Sequence, residues 1–171
     1  VTPEIYNFSL QDALPISYMG HAEYAGGGVD RRDSIDCPFK TPEEVLYFNF
    51  QDTYGPCDRI KWKREFEQHY QANCASNPDA VNMTGIYVTL ISGFIDIFGW
   101  DILLMAAGTD PMAFGKLANS YADFMLPYFE TLAEADVPVV MIHDDIVWSS
   151  GPIFSPKWYR QFVFPNYKRY F

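Results

Sequence analysis

The run Val137-Pro138-Val139-Val140-Met141-Ile142-His143-Asp144-Asp145-Ile146 constrains this chain most. Its β-branched and apolar residues read as a strand buried on both faces, as in a parallel sheet. The run then carries three ionisable side chains. An unpaired carboxylate inside a double-buried strand is very costly, whereas at the carboxyl end of a strand it can open into a site. Side chains alternate along a strand, so Met141, His143 and Asp145 share one face, and Ile142, Asp144 and Ile146 the other. His143 and Asp145 are therefore expected to point together into a site, facing a Gly/Ser-rich loop, Trp148–Pro152. Asp144 is expected to point away, toward the following helix or a neighbouring strand. After the loop, Ser155-Pro156 is an N-cap followed by proline at the first helical position, which predicts a helix from Lys157 to Phe171.

Upstream, Gly85–Ser92 is dense in β-formers and reads as a second strand. Trp100–Ala107 reads as a short helix stopped by Gly108, and Asp110-Pro111 as a new helix start. The stripe Phe114, Leu117, Ala118, Tyr121, Phe124, Met125, Tyr128, Phe129 and Leu132 recurs at helical spacing and reads as core. Pro127 inside it is expected to kink or restart the helix. Strands separated by helices argue for an α/β fold with a parallel sheet, the two strands adjacent or near neighbours. Neither strand is followed by a dinucleotide fingerprint. A (β/α)8 TIM barrel takes about 250 residues, and the chain has 171. The fold expected is therefore a partial barrel of parallel strands with intervening helices.

Elsewhere the sequence mostly excludes. A net charge of −10 argues against nucleic-acid binding, and no apolar run reaches membrane-spanning length. Cys37, Cys57 and Cys74 form neither a disulfide framework nor a CxxC pair, which fits reduced thiols and a cytoplasmic location. Gly26-Gly27-Gly28 lacks the pattern of a phosphate cradle. Arg31-Arg32 reads as a solvated pair, and His21 with Glu23 lacks a third metal ligand. Thr41-Pro42-Glu43-Glu44 spells a capping box with proline at the first helical position. Arg59–Glu67 reads as a helix with an apolar stripe through Trp62, Phe66 and Tyr70. His69 and Cys74 read as structural. Phe8–Ser17 closely resembles the conceptual translation of a common sequencing adapter, with one substitution, at Gln11. Residues 1–17 are accordingly expected to be non-native. Residues 18–171 would be the amino-terminal and central part of a barrel domain truncated at its carboxyl end.

The ordered set Leu126-Pro127-Tyr128-Phe129, His143-Asp144-Asp145, Gly151-Pro152 and Ser155-Pro156-Lys157-Trp158-Tyr159-Arg160-Gln161-Phe162-Val163-Phe164-Pro165 resembles the uroporphyrinogen decarboxylase superfamily. That superfamily also holds methyltransferases that serve corrinoid proteins. The resemblance covers roughly Gly85 to Phe171, with a looser match in Lys40 to Asp58. It implies a decarboxylase-like enzyme acting on a tetrapyrrole-type small-molecule substrate without a cofactor. The alternatives are a corrinoid-dependent methyltransferase, with zinc, a methyl donor and a corrinoid protein as partner, or a non-catalytic binding module. A fragment of either enzyme is expected to be inactive alone. Aligned from Pro127, Asp144 falls on an acidic position of the family, and Asp145 falls where the decarboxylases place a substrate-contacting serine. The arginine-rich substrate-binding motif is not visible, and the zinc motif of the methyltransferases would lie beyond Phe171. Catalytic candidates are Asp145, Asp144 and His143, with Tyr87 and Trp148 as substrate contacts and no metal ligand among them.

Overall fold

In the computed structural model, residues 38–171 are described, together with one short antiparallel pairing before them, β1 (Tyr24–Ala25) with β2 (Val29–Asp30). The adapter-like segment 8–17, Arg31-Arg32, His21, Glu23, the triple glycine and Cys37 lie outside the described residues.

Helix α1 (Pro42–Leu46) starts where its capping box predicts: Thr41 Oγ1 accepts from the Glu44 N–H, and the Glu44 carboxylate returns to the Thr41 N–H. Thr41→Ala is expected to cost about 1 kcal/mol in urea unfolding, because both exchanged bonds depend on that hydroxyl holding the turn. Asn49 caps α2 (Phe50–Tyr54) and Asp58 caps α3 (Arg59–Ser76). Helix α3 runs nine residues beyond the polar stretch that announces it, and buries Trp62 and Phe66 while Ile60 stays exposed.

Strand β3 is only Thr84–Ile86, where the sequence suggests a strand to Ser92. The chain leaves the sheet after Ile86 and enters α4 (Ile91–Phe98), then α5 (Trp100–Thr109) and α6 (Pro111–Glu134). Gly108 does not stop α5. The helix runs through it to Thr109, and Asp110 ends α5 while capping α6 through the Met112 and Ala113 N–H groups. Nor does Pro127 restart α6, which is one helix of 24 residues. Every residue of the apolar stripe from Phe114 to Leu132 is buried.

Strand β4 (Val140–Ile142) pairs in parallel with β3, Gly85 opposite Met141. The parallel adjacency matches the sequence, but the double burial does not: β3 is fully buried, whereas Val139 and Val140 are exposed. Among the described residues β4 has a single strand neighbour, so its other edge and part of its face stay open. The stretch read as a Gly/Ser-rich loop is instead a small hairpin, β5 (Val147–Trp148) with β6 (Gly151–Pro152). The last helical stretch opens as α7 (Pro156–Trp158), with Ser155 capping the Trp158 N–H, widens to a π turn over Tyr159–Val163, and closes as α8 (Phe164–Tyr170).

The result is a helix-rich α/β arrangement with few, short strands and no closed barrel among the described residues. Its core is aromatic. Tyr121 stands 4.9 Å from Phe50 and 5.3 Å from Phe94, ring centre to ring centre. Gly93 makes room for Tyr121, since a Cβ there would meet the phenol oxygen at 2.1 Å. That phenol donates to the Val88 carbonyl at 2.7 Å and fixes the turn that follows β3. No single helix among the described residues is long and apolar enough to cross a membrane; α4 and α5 together have the length but bend by 115°.

Candidate functional site

Strand pairing ends at Ile142, and the next three residues are held individually. The His143 N–H donates to the Ile86 carbonyl at 3.2 Å, which extends the parallel ladder by one bond. His143 and Asp145 then project on one side, as alternation requires. Nε2 of His143 lies 3.5 Å from Oδ1 of Asp145, with the two side chains 49% and 46% exposed. Tyr87 stands just past the carboxyl end of β3, its ring centre 6.3 Å from that of His143. Burial raises its phenol above the ordinary tyrosine value. Tyr87, His143 and Asp145 thus gather at the carboxyl ends of two adjacent parallel strands, where open α/β sheets bind ligands.

Asp144 turns the other way. Its carboxylate accepts from the Ile91 N–H at 3.1 Å and the Ser92 N–H at 2.6 Å, and the Tyr167 hydroxyl of α8 donates to it. It therefore caps α4 from a segment 53 residues away, where no side chain of α4's own N-cap, Leu90, can do so. A carboxylate at a helix N-terminus meets free N–H donors and the positive end of the helix dipole. Burial nonetheless outweighs these donors and holds the Asp144 carboxyl above its ordinary value. Burial, helped by the same contact, pushes the Tyr167 phenol strongly upward. With three donors and only partial exposure, Asp144 fits a structural cap.

Trp148 sits on the β5–β6 hairpin with its ring 5.4 Å from Trp100, edge to face. Among the described residues no ring contact links it to Tyr87 or His143, and the residues that the contacts bring together are three of the five candidates, Tyr87, His143 and Asp145. His69, read from the sequence as structural, has Nδ1 3.0 Å from Thr84 Oγ1, and burial lowers its affinity for a proton. No group of three or more His, Cys, Asp or Glu among the described residues stands together as a metal set. His143 and Asp145 fall short of the three protein ligands that a catalytic zinc takes.

Sequence reasoning passed over Thr89, Ser92 and Tyr167. Thr89 Oγ1 donates to the His143 carbonyl at 2.8 Å, and Ser92 Oγ accepts from the Asp145 N–H at 2.8 Å. Their only local sign is a pair of hydroxyls among β-formers, which reads as ordinary strand. Tyr167 lies 23 residues beyond its partner and carries no local sign. Comparison of the chain with protein-family models, curated proteins and solved structures returns no match.

Proposed function

We propose that the chain is part of a (β/α)8 barrel enzyme of the uroporphyrinogen decarboxylase type, acting on a tetrapyrrole-type carboxylic acid. One observation carries this reading: His143 and Asp145 lie side by side and half-exposed at the carboxyl end of β4, beside Tyr87 at the same end of β3. Decarboxylation breaks one C–C bond, releases CO2 and leaves an electron pair on a carbon that then takes a proton. In its protonated form the His143 imidazolium, held beside the Asp145 carboxylate, can deliver that proton to the carbon, and the ring then takes a new proton from solvent. Tyr87 offers an aromatic face to a flat macrocycle. Asp145, on the open face, is the residue assigned to the substrate.

A second reading within the same superfamily is methyl transfer with a corrinoid protein as partner. Arg59 is engaged with Glu130 and Glu134, and Arg169 with Asp123, so these guanidiniums are committed to carboxylates. A polyanionic substrate gains little from them, which favours a less anionic methyl donor.

The test uses the full-length protein with uroporphyrinogen, following CO2 release, and in parallel a methylcorrinoid with a thiol acceptor. Asp145→Asn is expected to cut turnover at least tenfold, about 1.4 kcal/mol, with the melting temperature nearly unchanged. An Asp145→Asn enzyme of full activity puts the chemistry elsewhere. Absence of turnover in both assays would favour a binding module.

A further inference from the structure

The turn between β3 and α4 grips each residue of the strand end in a different way. The His143 carbonyl takes the Thr89 hydroxyl, and the Asp144 carboxylate takes the Ile91 and Ser92 N–H groups. The Asp145 N–H gives to the Ser92 hydroxyl. Ser92 works in both directions at once: its own N–H serves Asp144 and its Oγ receives Asp145. Thr89 is fully buried and Ser92 is 5% exposed. These hydroxyls therefore do not exchange their partners for bulk water, and a lost bond leaves a buried polar group without one.

These bonds lie beyond Ile142, where β4 ends. Past that point strand pairing fixes only the His143 N–H. The peptide planes on either side of Asp144 take their orientation from the two hydroxyls and the Asp144 cap. The directions of the His143 and Asp145 side chains follow from those planes.

We propose that Thr89 and Ser92 are the positioning residues of the strand-end site, holding the His143 imidazole and the Asp145 carboxylate together through their backbones. Neither hydroxyl reaches the open face, so each acts through its neighbour. The functional consequence rests on the reading of the site given above; the geometric claim rests on the hydrogen bonds alone.

The test compares Thr89→Val, Thr89→Ser and Ser92→Ala in the full-length protein. Valine keeps the shape of threonine and removes its donor, whereas serine keeps the donor and removes a methyl group. Two readouts are followed: the nuclear Overhauser contact between the His143 ring and the Asp145 β-protons, and turnover of uroporphyrinogen. Thr89→Val and Ser92→Ala are expected to weaken the contact and to lower kcat at least tenfold with KM within about twofold, while Thr89→Ser keeps both. Should Ser92→Ala fail to fold, the Thr89 pair decides. Equal losses in Thr89→Val and Thr89→Ser would reduce Thr89 to packing, and an undiminished contact in Thr89→Val and Ser92→Ala overturns the proposal. A wild-type protein that turns over nothing counts against the decarboxylase reading, while the proton contact still judges the positioning.

Discussion

Asp144→Ala is expected to destabilise the protein by about 3–5 kcal/mol. Truncation leaves the Ile91 N–H, the Ser92 N–H and the Tyr167 hydroxyl without their acceptor. A buried donor left unmatched costs about 1–3 kcal/mol, and the loss of a helix cap adds to the same bonds and not beside them. Urea unfolding measures the effect, and a loss under about 1 kcal/mol means that water takes the carboxylate's place. The pH dependence has a definite sign. Burial raises the Asp144 carboxyl above its ordinary value, so over the window just above the usual aspartate pKa of about 3.9 the folded chain holds a proton that the unfolded chain has lost. Stability from this group is then fully present below that window and falls as pH rises through the raised value. Asp144→Asn, uncharged throughout, should flatten that fall. A wild-type advantage that grows with pH instead means that the three donors outweigh burial.

Gly85→Ala is expected to cost at least about 3 kcal/mol, the upper end of overpacking. A Cβ at Gly85 would stand 1.6 Å from the Met141 carbonyl oxygen and 2.6 Å from its carbon. Both are backbone atoms of the partner strand, so no side chain can swing aside. Relief comes only by separating β3 from β4, which also draws Tyr87 from His143. Gly108→Ala is the control: it lies inside α5 with nothing within 4 Å of the new methyl. There the change removes backbone freedom from the unfolded chain and should be neutral or stabilising, by up to about 1 kcal/mol. Thermal melts of the two variants separate close strand contact from mere loss of glycine.

The parts of the fold that were legible in the sequence are those decided within one turn of chain. The caps at Thr41, Asp110 and Ser155 each rely on a side chain two or three residues from its target, and each forms. The alternation of His143, Asp144 and Asp145 was likewise readable, because a strand's period is fixed by its pleat. What escaped reading depends on distant partners. Tyr87 to Ser92 has the composition of a strand, yet α4 begins at Ile91 because Asp144 supplies its cap from far along the chain. Tertiary context here overrides β-propensity. Gly108 carries a stop signal, but Asp110 two residues later provides a stronger junction. Trp148 sits on a hairpin that a Gly/Ser-rich reading treats as irregular, and its partner Trp100 lies 48 positions away. The exposed side of β4 reflects its neighbours in space, which a single strand's composition does not report.

The widened turn at Tyr159–Val163 acts as a phase adjustment between two helices. Trp158 donates to the Pro111 carbonyl, Phe162 lies over Gly115, Asn166 bonds Asn119 and Tyr170 stacks on Phe129. The contacting residues on the last helix thus recur every fourth position. At 3.6 residues per turn, a four-residue repeat drifts by about 40° at each step, so a uniform α-helix would have turned Tyr170 about 120° away from the line that Trp158 begins. The Phe164 N–H reaches back five residues to the Tyr159 carbonyl, which inserts extra chain per turn and takes up part of that drift. Pro165, just beyond, has no N–H to give to the turn behind it, and so the wide turn sits where an α-helical bond was already forfeited. Removing one residue from this turn would shift the gearing. Tyr167 and Asn166 would rotate off Asp144 and Asn119 together, uncoupling the last helix from the strand end and from α6 in a single step.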